Sequence, residues 1–177
     1  MEINYFSPQQ AAQLSGQLIC GEVTTAFGVC YAAMLDGVLC YFALSLAEPE
    51  IAAQLKKRWP KTQYQSVAKD NPHLFAVVQT VLEKKSIPLI LVGTEFQQQI
   101  WQALLAIPAG SVISYQTLAK QAEKPKAIRA AASAVANNLI AVAVPCHRVI
   151  RASGAIGQYR WGVDNKRKLL QQEGCVL

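Results

Sequence analysis

Apolar positions in the first half of the chain fall into short blocks with two different periods. Residues Phe27 to Met34 and Val38 to Leu44 are rich in strand-forming apolar and aromatic side chains, and Leu35-Asp36-Gly37 between them supplies an Asp-Gly turn. That pattern predicts a β-hairpin. From Glu48 to Trp59 the period lengthens, with Ile51, Leu55 and Trp59 recurring every fourth residue as on one face of a helix. Asn71-Pro72 opens a second helix with a good N-cap followed by proline at the first helical position. The expected apolar face of that helix is Leu74, Phe75, Val78, Val81 and Leu82, its end is Ser86-Ile87-Pro88, and Leu89 to Val92 reads as one more short strand.

The second half is patterned differently. Thr94-Glu95-Phe96-Gln97 has the form of a capping box, and the helix after it would present Phe96, Ile100, Leu104 and Leu105 to a core before Ile107-Pro108-Ala109-Gly110 stops it. Ser114 is placed to cap a short helix from Tyr115 to about Ala122. Lys124-Pro125 breaks the chain, and a further helix is expected over residues 126–137. Two short helices about a tight break outline a helix-turn-helix. The second of them carries Ala127, Ala130, Ala131, Ala132, Ser133, Ala134 and Ala136, with Arg129 as its one long polar side chain. A surface of methyl groups suits either close helix packing or close approach to a DNA groove; Arg129 is then either a solvated surface residue or a side chain that reaches into the duplex. Gly154, Gly157 and Gly162, spaced among Tyr159, Arg160 and Trp161, mark loops that approach a ligand closely. Asp164 is expected to cap a last helix running from Asn165 to Glu173, with Gly174 as its C′ residue.

Composition narrows the class of protein. A hydrophobic fraction of 52% with 16% charged residues describes a folded chain rather than a disordered one. The start, Met1-Glu2-Ile3-Asn4-Tyr5, has neither the basic nor the apolar region of a signal peptide, and no apolar stretch approaches the roughly 20 residues of a membrane span. An odd set of cysteines, Cys20, Cys30, Cys40, Cys146 and Cys175, argues for reduced thiols in the cytoplasm. Cys20, Cys30 and Cys40 lack the close pairing of zinc ligands and read as buried small hydrophobes, and His73 reads as a surface or structural histidine. No metal is expected. The net charge of +6 is uneven: from Leu89 onward ten basic residues face four acidic ones, whereas the first half is balanced. A basic half attracts polyanions.

The chemistry concentrates at Pro145-Cys146-His147-Arg148, after the apolar run Ile140 to Val144. The thiolate, not the thiol, is the nucleophile, and an adjacent base or positive charge activates it. The signatures of cysteine proteases are missing and metal partners are lacking, so direct attack of sulfur on a carbon electrophile is the third use of such a pair. Tyr115 and Tyr159 are candidate proton donors for a leaving group, and Glu173 is a candidate to hold His147 in one tautomer, although spacing along the chain does not bring these residues together.

These residues, with Phe96-Gln97-Gln98-Gln99-Ile100-Trp101, Ile107-Pro108-Ala109-Gly110, Ser114-Tyr115-Gln116-Thr117-Leu118-Ala119, Lys124-Pro125-Lys126-Ala127-Ile128-Arg129-Ala130, Pro145-Cys146-His147-Arg148-Val149 and Gly157-Gln158-Tyr159-Arg160, resemble the methylated-DNA–protein-cysteine methyltransferases, the O6-alkylguanine-DNA alkyltransferases, in the family's order. The resemblance implies an α/β (α+β) protein. A small ribonuclease-H-like α/β domain would occupy residues 1–92. A mainly helical, winged-helix-like helix-turn-helix domain carrying the active site would occupy residues 93–177. It implies irreversible, single-turnover transfer of the alkyl group from O6-alkylguanine, and from O4-methylthymine, in double-stranded DNA to Cys146 after base flipping. It implies a monomer, no cofactor and no membrane.

By the same resemblance His147 would deprotonate Cys146 through a water and Glu173 would orient the imidazole. Asn138 would tie down the loop and turn before the active-site strand. Tyr115 would assist base rotation and protonate the departing guanine. Arg129 would fill the gap in the stack, and Tyr115, Ala130, Ser133 and Ala134 would join it against the minor groove. Pro145, Val149, Tyr159 and Arg160 would line the base pocket. Where some members carry Gly-Gly in the recognition helix this chain has Ala132-Ser133, and Leu139 stands where they have proline after the asparagine. Both substitutions are similar to those in the C-terminal half of bacterial adaptive-response proteins. The cysteine-rich sensor domain of those proteins has no counterpart here, and no activator role is expected. Two other readings compete: a relative that binds damaged DNA without accepting the alkyl group, in which the motif cysteine is replaced, and a cysteine hydrolase. The presence of Cys146 favours the alkyltransferase.

Overall fold

The computed structural model describes residues 2–44 and 51–175, which divide into two compact units, Met1–Thr94 and Glu95–Leu177. The first unit is built on one six-stranded sheet. Its strands are β1 (Ile3–Phe6), β2 (Ser15–Thr25), β3 (Gly28–Leu35), β4 (Val38–Ala43), β5 (Lys61–Ser66) and β6 (Leu89–Val92), in the order β1-β6-β4-β3-β2-β5. The expected hairpin is the centre of it: β3 and β4 pair antiparallel up to Leu35 and Val38, and Asp36 and Gly37 both take positive φ, 46° and 81°. Two left-handed residues in a two-residue loop match the twist of the flanking strands, and glycine adopts that conformation without a Cβ clash. β2 extends the meander on one side and takes β5 in parallel, while β6 and β1 add in parallel beyond β4.

Among the described residues three helices accompany the sheet: α1 (Pro8–Ala11), α2 (Ile51–Arg58) and α3 (Pro72–Leu82). Asn71 caps α3 as expected, its side chain accepting from the amides of His73 and Leu74. Leu74, Val78 and Val81 are buried, but Phe75 is 40% exposed and lies outside the apolar face assigned to it. One residue on from Leu74, it lies about 100° around the helix from it, at the edge of the buried face. The start expected for α2, from Glu48, lies outside the described residues. Cys20, Cys30 and Cys40 are buried small side chains in the sheet core, and His73 is exposed.

The second unit packs α4 (Glu95–Leu105), α5 (Tyr115–Gln121), α6 (Ile128–Ala136) and α7 (Val163–Gln172) with a two-stranded parallel bridge of β7 (Ile113–Ser114) and β8 (Val149–Ile150). On α4 the buried set is Ile100, Trp101, Ala103 and Leu104, and the Trp101 indole N–H donates to the Ala134 carbonyl of α6 at 2.9 Å. Ser114 caps α5, accepting from the Thr117 amide. α5 stops before Lys124-Pro125: Glu123 turns to φ 58°, and the Lys124 amide closes back on Ala119. The last helix also starts differently from expectation. Gly162 is its N-cap residue, at φ 89°, and Asp164 sits in the first turn, paired with Arg167 at 2.9 Å. Its C-terminal end follows the expected pattern, with Gly174 at φ 78° and the amides of Gly174 and Cys175 bonded to Gln171 and Leu170. This closure is a Schellman motif and leaves Glu173 as the capping residue. Replacing Gly174 with alanine puts a Cβ on a left-handed residue. The expected outcome is a loss of about 1 kcal/mol in stability, read as a lower thermal midpoint, and an unchanged midpoint would mean that the left-handed end is not required.

Candidate active site

The segment before Cys146 is not a strand. Residues 141–144 are a run of turns closed by an Ala143 amide bonded to the Ala141 carbonyl and a Val144 amide bonded to Ile140. Val142 between the first pair sits at φ 64°, a conformation that β-branched residues avoid. Such backbone persists only where its surroundings hold it, at a cost of order 1–3 kcal/mol. Here the holding group is Asn138, which is 1% exposed. Its Oδ1 accepts from the Ile140 amide at 2.9 Å, and its Nδ2 donates to the carbonyls of Ile140 and Val144, each at 3.1 Å. The same Nδ2 stands 3.2 Å from the Cys146 sulfur. One amide therefore fixes the turn and reaches the thiol. Pro145 then bends the chain, the Cys146 amide bonding to Val144 at 2.8 Å, into a single 3-10 turn, Cys146–Arg148.

That turn buries three functional side chains in consecutive positions. His147 is 0% exposed, and its Nε2 lies 3.1 Å from Glu173 Oε1. Arg148 grips the same carboxylate with two donors, Nε to Oε2 at 2.9 Å and Nη2 to Oε1 at 2.8 Å, while its Nη1 donates to the Ile107 carbonyl. A planar guanidinium matches a carboxylate in this way and fixes its plane. Gly110, at φ 80°, passes so close that a Cβ there would lie 3.1 Å from the Glu173 carbonyl. The Ile107-Pro108-Ala109-Gly110 loop thus braces the pair. Burial works against ionisation of Glu173, but the hydrogen bonds and charges of His147 and Arg148 outweigh it and hold the carboxyl well below the usual carboxylate range.

Burial pushes the Cys146 thiol up, against the opposing hydrogen bond from Asn138, the Tyr159 hydroxyl and the charge of Lys166. The Tyr159 hydroxyl is buried and faces the sulfur without forming a hydrogen bond of ordinary geometry; burial and the Cys146 charge raise its pKa well above that of a free tyrosine. Tyr115 is raised too, by burial first and then by the Cys146 charge, with Arg151 acting in the opposite sense. Both phenols keep their protons at neutral pH.

Cys146 opens onto a cleft of about 460 Å³ lined by Tyr115, Ala132, Val135, Ala136, Gln158, Tyr159 and Arg160. Tyr115 arrives there because the β7–β8 bridge places the first residue of α5 beside the segment that follows the cysteine turn. Of the residues expected in the pocket, Tyr159 and Arg160 line it. Pro145 and Val149 are buried and do not; the Val149 carbonyl is taken by Lys166 Nζ at 2.6 Å. Of those expected to face DNA, Arg129, Ala130 and Ser133 are exposed on α6, but Ala134 is 2% exposed and its carbonyl receives Trp101. The helical period turns Ala134 inward while Ala132, Val135 and Ala136 face the cleft. Sequence reasoning gave no role to Arg148, Lys166 or Gln158. Arg148 stands in the Pro145-Cys146-His147-Arg148 motif, and a basic residue next to a Cys-His pair was its only signal; Lys166 stands beside Arg167 and Lys168 in the last helix, with nothing local to set it apart.

Residues 95–175 match the model of the 6-O-methylguanine DNA methyltransferase DNA binding domain. The bifunctional transcriptional activator/DNA repair enzyme Ada of Escherichia coli is 38% identical over 157 residues, which cover 82% of this chain and 42% of that protein. A methylated-DNA–protein-cysteine methyltransferase of Mycobacterium leprae is 50% identical over 92 residues, 52% of this chain and 56% of that protein. Two crystal structures of the Mycobacterium tuberculosis relative are similar throughout. A complex with DNA has a TM-score of 0.70 at 29% identity, covering 88% of this chain and 92% of that one. A point variant has a TM-score of 0.69 at 31% identity, covering 89% and 93%. The chain belongs to the O6-methylguanine DNA methyltransferase family. It spans about half the length of the curated relatives it matches.

Glu173 also sets an acid dependence. Its folded pKa is depressed, so the stability it contributes is complete above the unfolded value near 4.5 and is lost as pH falls through the folded value. Glu173→Gln leaves Arg148 as a buried charge without its carboxylate. We expect this variant to be about 3–5 kcal/mol less stable at neutral pH and to lose that part of the acid dependence, measured by denaturant unfolding at stepped pH. Parallel acid profiles in the two proteins would show the pair to be inert.

Proposed function

We propose that this protein is a DNA repair alkyltransferase that moves the alkyl group of O6-alkylguanine in double-stranded DNA onto Cys146, once per molecule. The observation that carries the reading is the placement of Cys146 at the floor of a cleft shared by Tyr115, the Tyr159-Arg160 segment and the small side chains of α6. Residues 1–92 are read as a ribonuclease-H-like domain, supported by the β2–β3–β4 meander with β5 parallel to β2. Residues 93–177 are read as a winged-helix-like DNA-binding domain in which α5 and α6 form the helix-turn-helix. The Mycobacterium tuberculosis relative crystallised with DNA supports a DNA partner. Exposed Arg129, Ala130 and Ser133 supply the groove face, with Tyr115 at its inner edge. No helix of the described residues is long and apolar enough to cross a membrane, and no disulfide joins the five cysteines, which suits the reducing cytoplasm, where we place the protein as a monomer.

In the proposed reaction the target base leaves the stack, which costs a few kcal/mol, and Arg129 occupies the gap. Groove and phosphate contacts bind without regard to sequence and weaken with salt. With Nε2 against Glu173, Nδ1 of His147 is the nitrogen that takes the Cys146 proton, through a water. The sulfur attacks the alkyl carbon as the bond to O6 breaks, and the electron pair of that bond stays with guanine. Tyr115, held as a phenol by burial, gives guanine its proton and is reprotonated by solvent. Asn138 and the buried hydroxyl of Tyr159 face the developing sulfur charge. The product is a thioether, which has no proton to lose and no good leaving group, so the site is spent. O4-methylthymine presents the same bond from an exocyclic oxygen to a methyl carbon and is the second proposed substrate.

A duplex carrying radiolabelled O6-methylguanine tests the reading. Label is expected to move to protein, to stop at one per chain, and to stay on DNA with Cys146→Ala; tight binding by the unaltered protein with no transfer would sink the proposal in favour of a pure binder. For Arg129→Ala we expect a loss of tenfold or more in repair of duplex DNA, on the order of 1.4 kcal/mol, with little change toward the free O6-alkylated base. Equal losses on both substrates would remove the stack-filling role.

A further inference from the structure

Three charged side chains are buried around the cysteine turn, and two of them answer each other: Arg148 and Glu173. The third, Lys166, is 0% exposed and forms no ion pair with a carboxylate among the described residues. It lies on the inner face of α7 with Asn165, Leu169 and Leu170. Its Nζ donates to the Val149 carbonyl at 2.6 Å, and the Val149 amide in turn closes the 3-10 turn by bonding to the Cys146 carbonyl. The ammonium is therefore pinned to the residue that ends the turn bearing the thiol. A buried cation is costly unless a counter-charge meets it, and a methionine would fill the same space without that cost.

We propose that Lys166 is a positioning residue whose ammonium is the built-in counter-charge of the Cys146 thiolate. The proposal rests on the reading of Cys146 as the nucleophile and deepens it. With Arg148 and Glu173 cancelling, the resting site carries one unmatched positive charge. Ionisation of Cys146 places a negative charge near it, and that attraction favours the reactive form. The other groups that face the sulfur are the Asn138 amide and the Tyr159 hydroxyl; Tyr115 lines the same cleft with Arg151 nearby, and His147, the next residue of the turn, is paired with Glu173. Neither the Asn138 amide nor the Tyr159 hydroxyl brings a fixed positive charge. The coupling runs both ways: burial lowers Lys166 to about 8 while the charge of Cys146 opposes the fall, and Lys166 opposes the rise that burial imposes on Cys146.

The test uses the full chain and iodoacetamide, a small neutral electrophile that needs neither DNA nor base flipping. The rate of modification at Cys146, read by mass spectrometry of the peptide that contains it, is followed against pH. Lys166→Met and Lys166→Gln are expected to shift the midpoint upward by about one unit and to slow the reaction about tenfold at neutral pH, with Lys166→Arg restoring most of the rate. Glutamine keeps a donor for the Val149 carbonyl without the charge, so a wild-type profile in Lys166→Gln would overturn the proposal and assign the role to the hydrogen bond. Equal losses in all three variants, or a wild-type midpoint in Lys166→Met, would also overturn it. Circular dichroism identifies any variant that does not fold, and the remaining uncharged variant then decides. Failure of the unaltered protein to take label from DNA would refute the nucleophile reading while leaving these thiol profiles intact.

Discussion

Everything at the active site hangs on one carboxylate. Glu173 receives His147 on one oxygen and Arg148 on both, and no part of its side chain is exposed. A carboxylate in that position needs its partners, because removing either leaves charge in a low-dielectric interior. The partners come from the cysteine turn, and the carboxylate comes from the end of α7, held there by a glycine in the left-handed region. The Ile107–Gly110 loop closes the arrangement from a third side, through the Ile107 carbonyl and the narrow gap at Gly110. Three distant stretches of chain are thereby locked to one another by groups that tolerate little displacement.

The resting electrostatics point one way and the proposed chemistry the other. Burial favours a neutral thiol at Cys146, yet nearly every polar group facing the sulfur favours its anion. The groups that would stabilise a thiolate are thus already in place in the resting site. The strained turn at Val142 fits the same logic, since the amide of Asn138 that holds it also reaches the sulfur.

α6 shows how composition and geometry divide the work. Its small residues serve three different surfaces: Ala131 and Ala134 pack inward, Ala132 and Ala136 border the cleft, and Ala130 and Ser133 face outward beside Arg129. Small side chains let one short helix lie close to a neighbouring helix, a base pocket and a groove at once. Packing and groove approach, which look like alternatives from composition, are compatible here because a helix has more than one face.

The chain itself determined the local punctuation of the fold: the Asp36-Gly37 turn, the Asn71 and Ser114 caps, the Gly174 terminus and the adjacency of Cys146 with His147. Each depends on a few consecutive residues, whose side chains and backbone preferences act over short range. β2 and β5 were not legible, because Ser15–Thr25 contains two glycines and mixed polarity and Lys61–Ser66 is a polar edge strand; both exist through pairing with partners far away in the chain. The same holds at the site. That Glu173 meets His147 was an expectation drawn from resemblance, whereas the Arg148 fork, the burial of Lys166, the inward turn of Ala134 and the turn geometry in place of an active-site strand were decided only when the chain closed on itself. Local sequence sets dihedral preferences, but burial and ion pairing depend on what arrives from elsewhere, and that is a property of the tertiary structure.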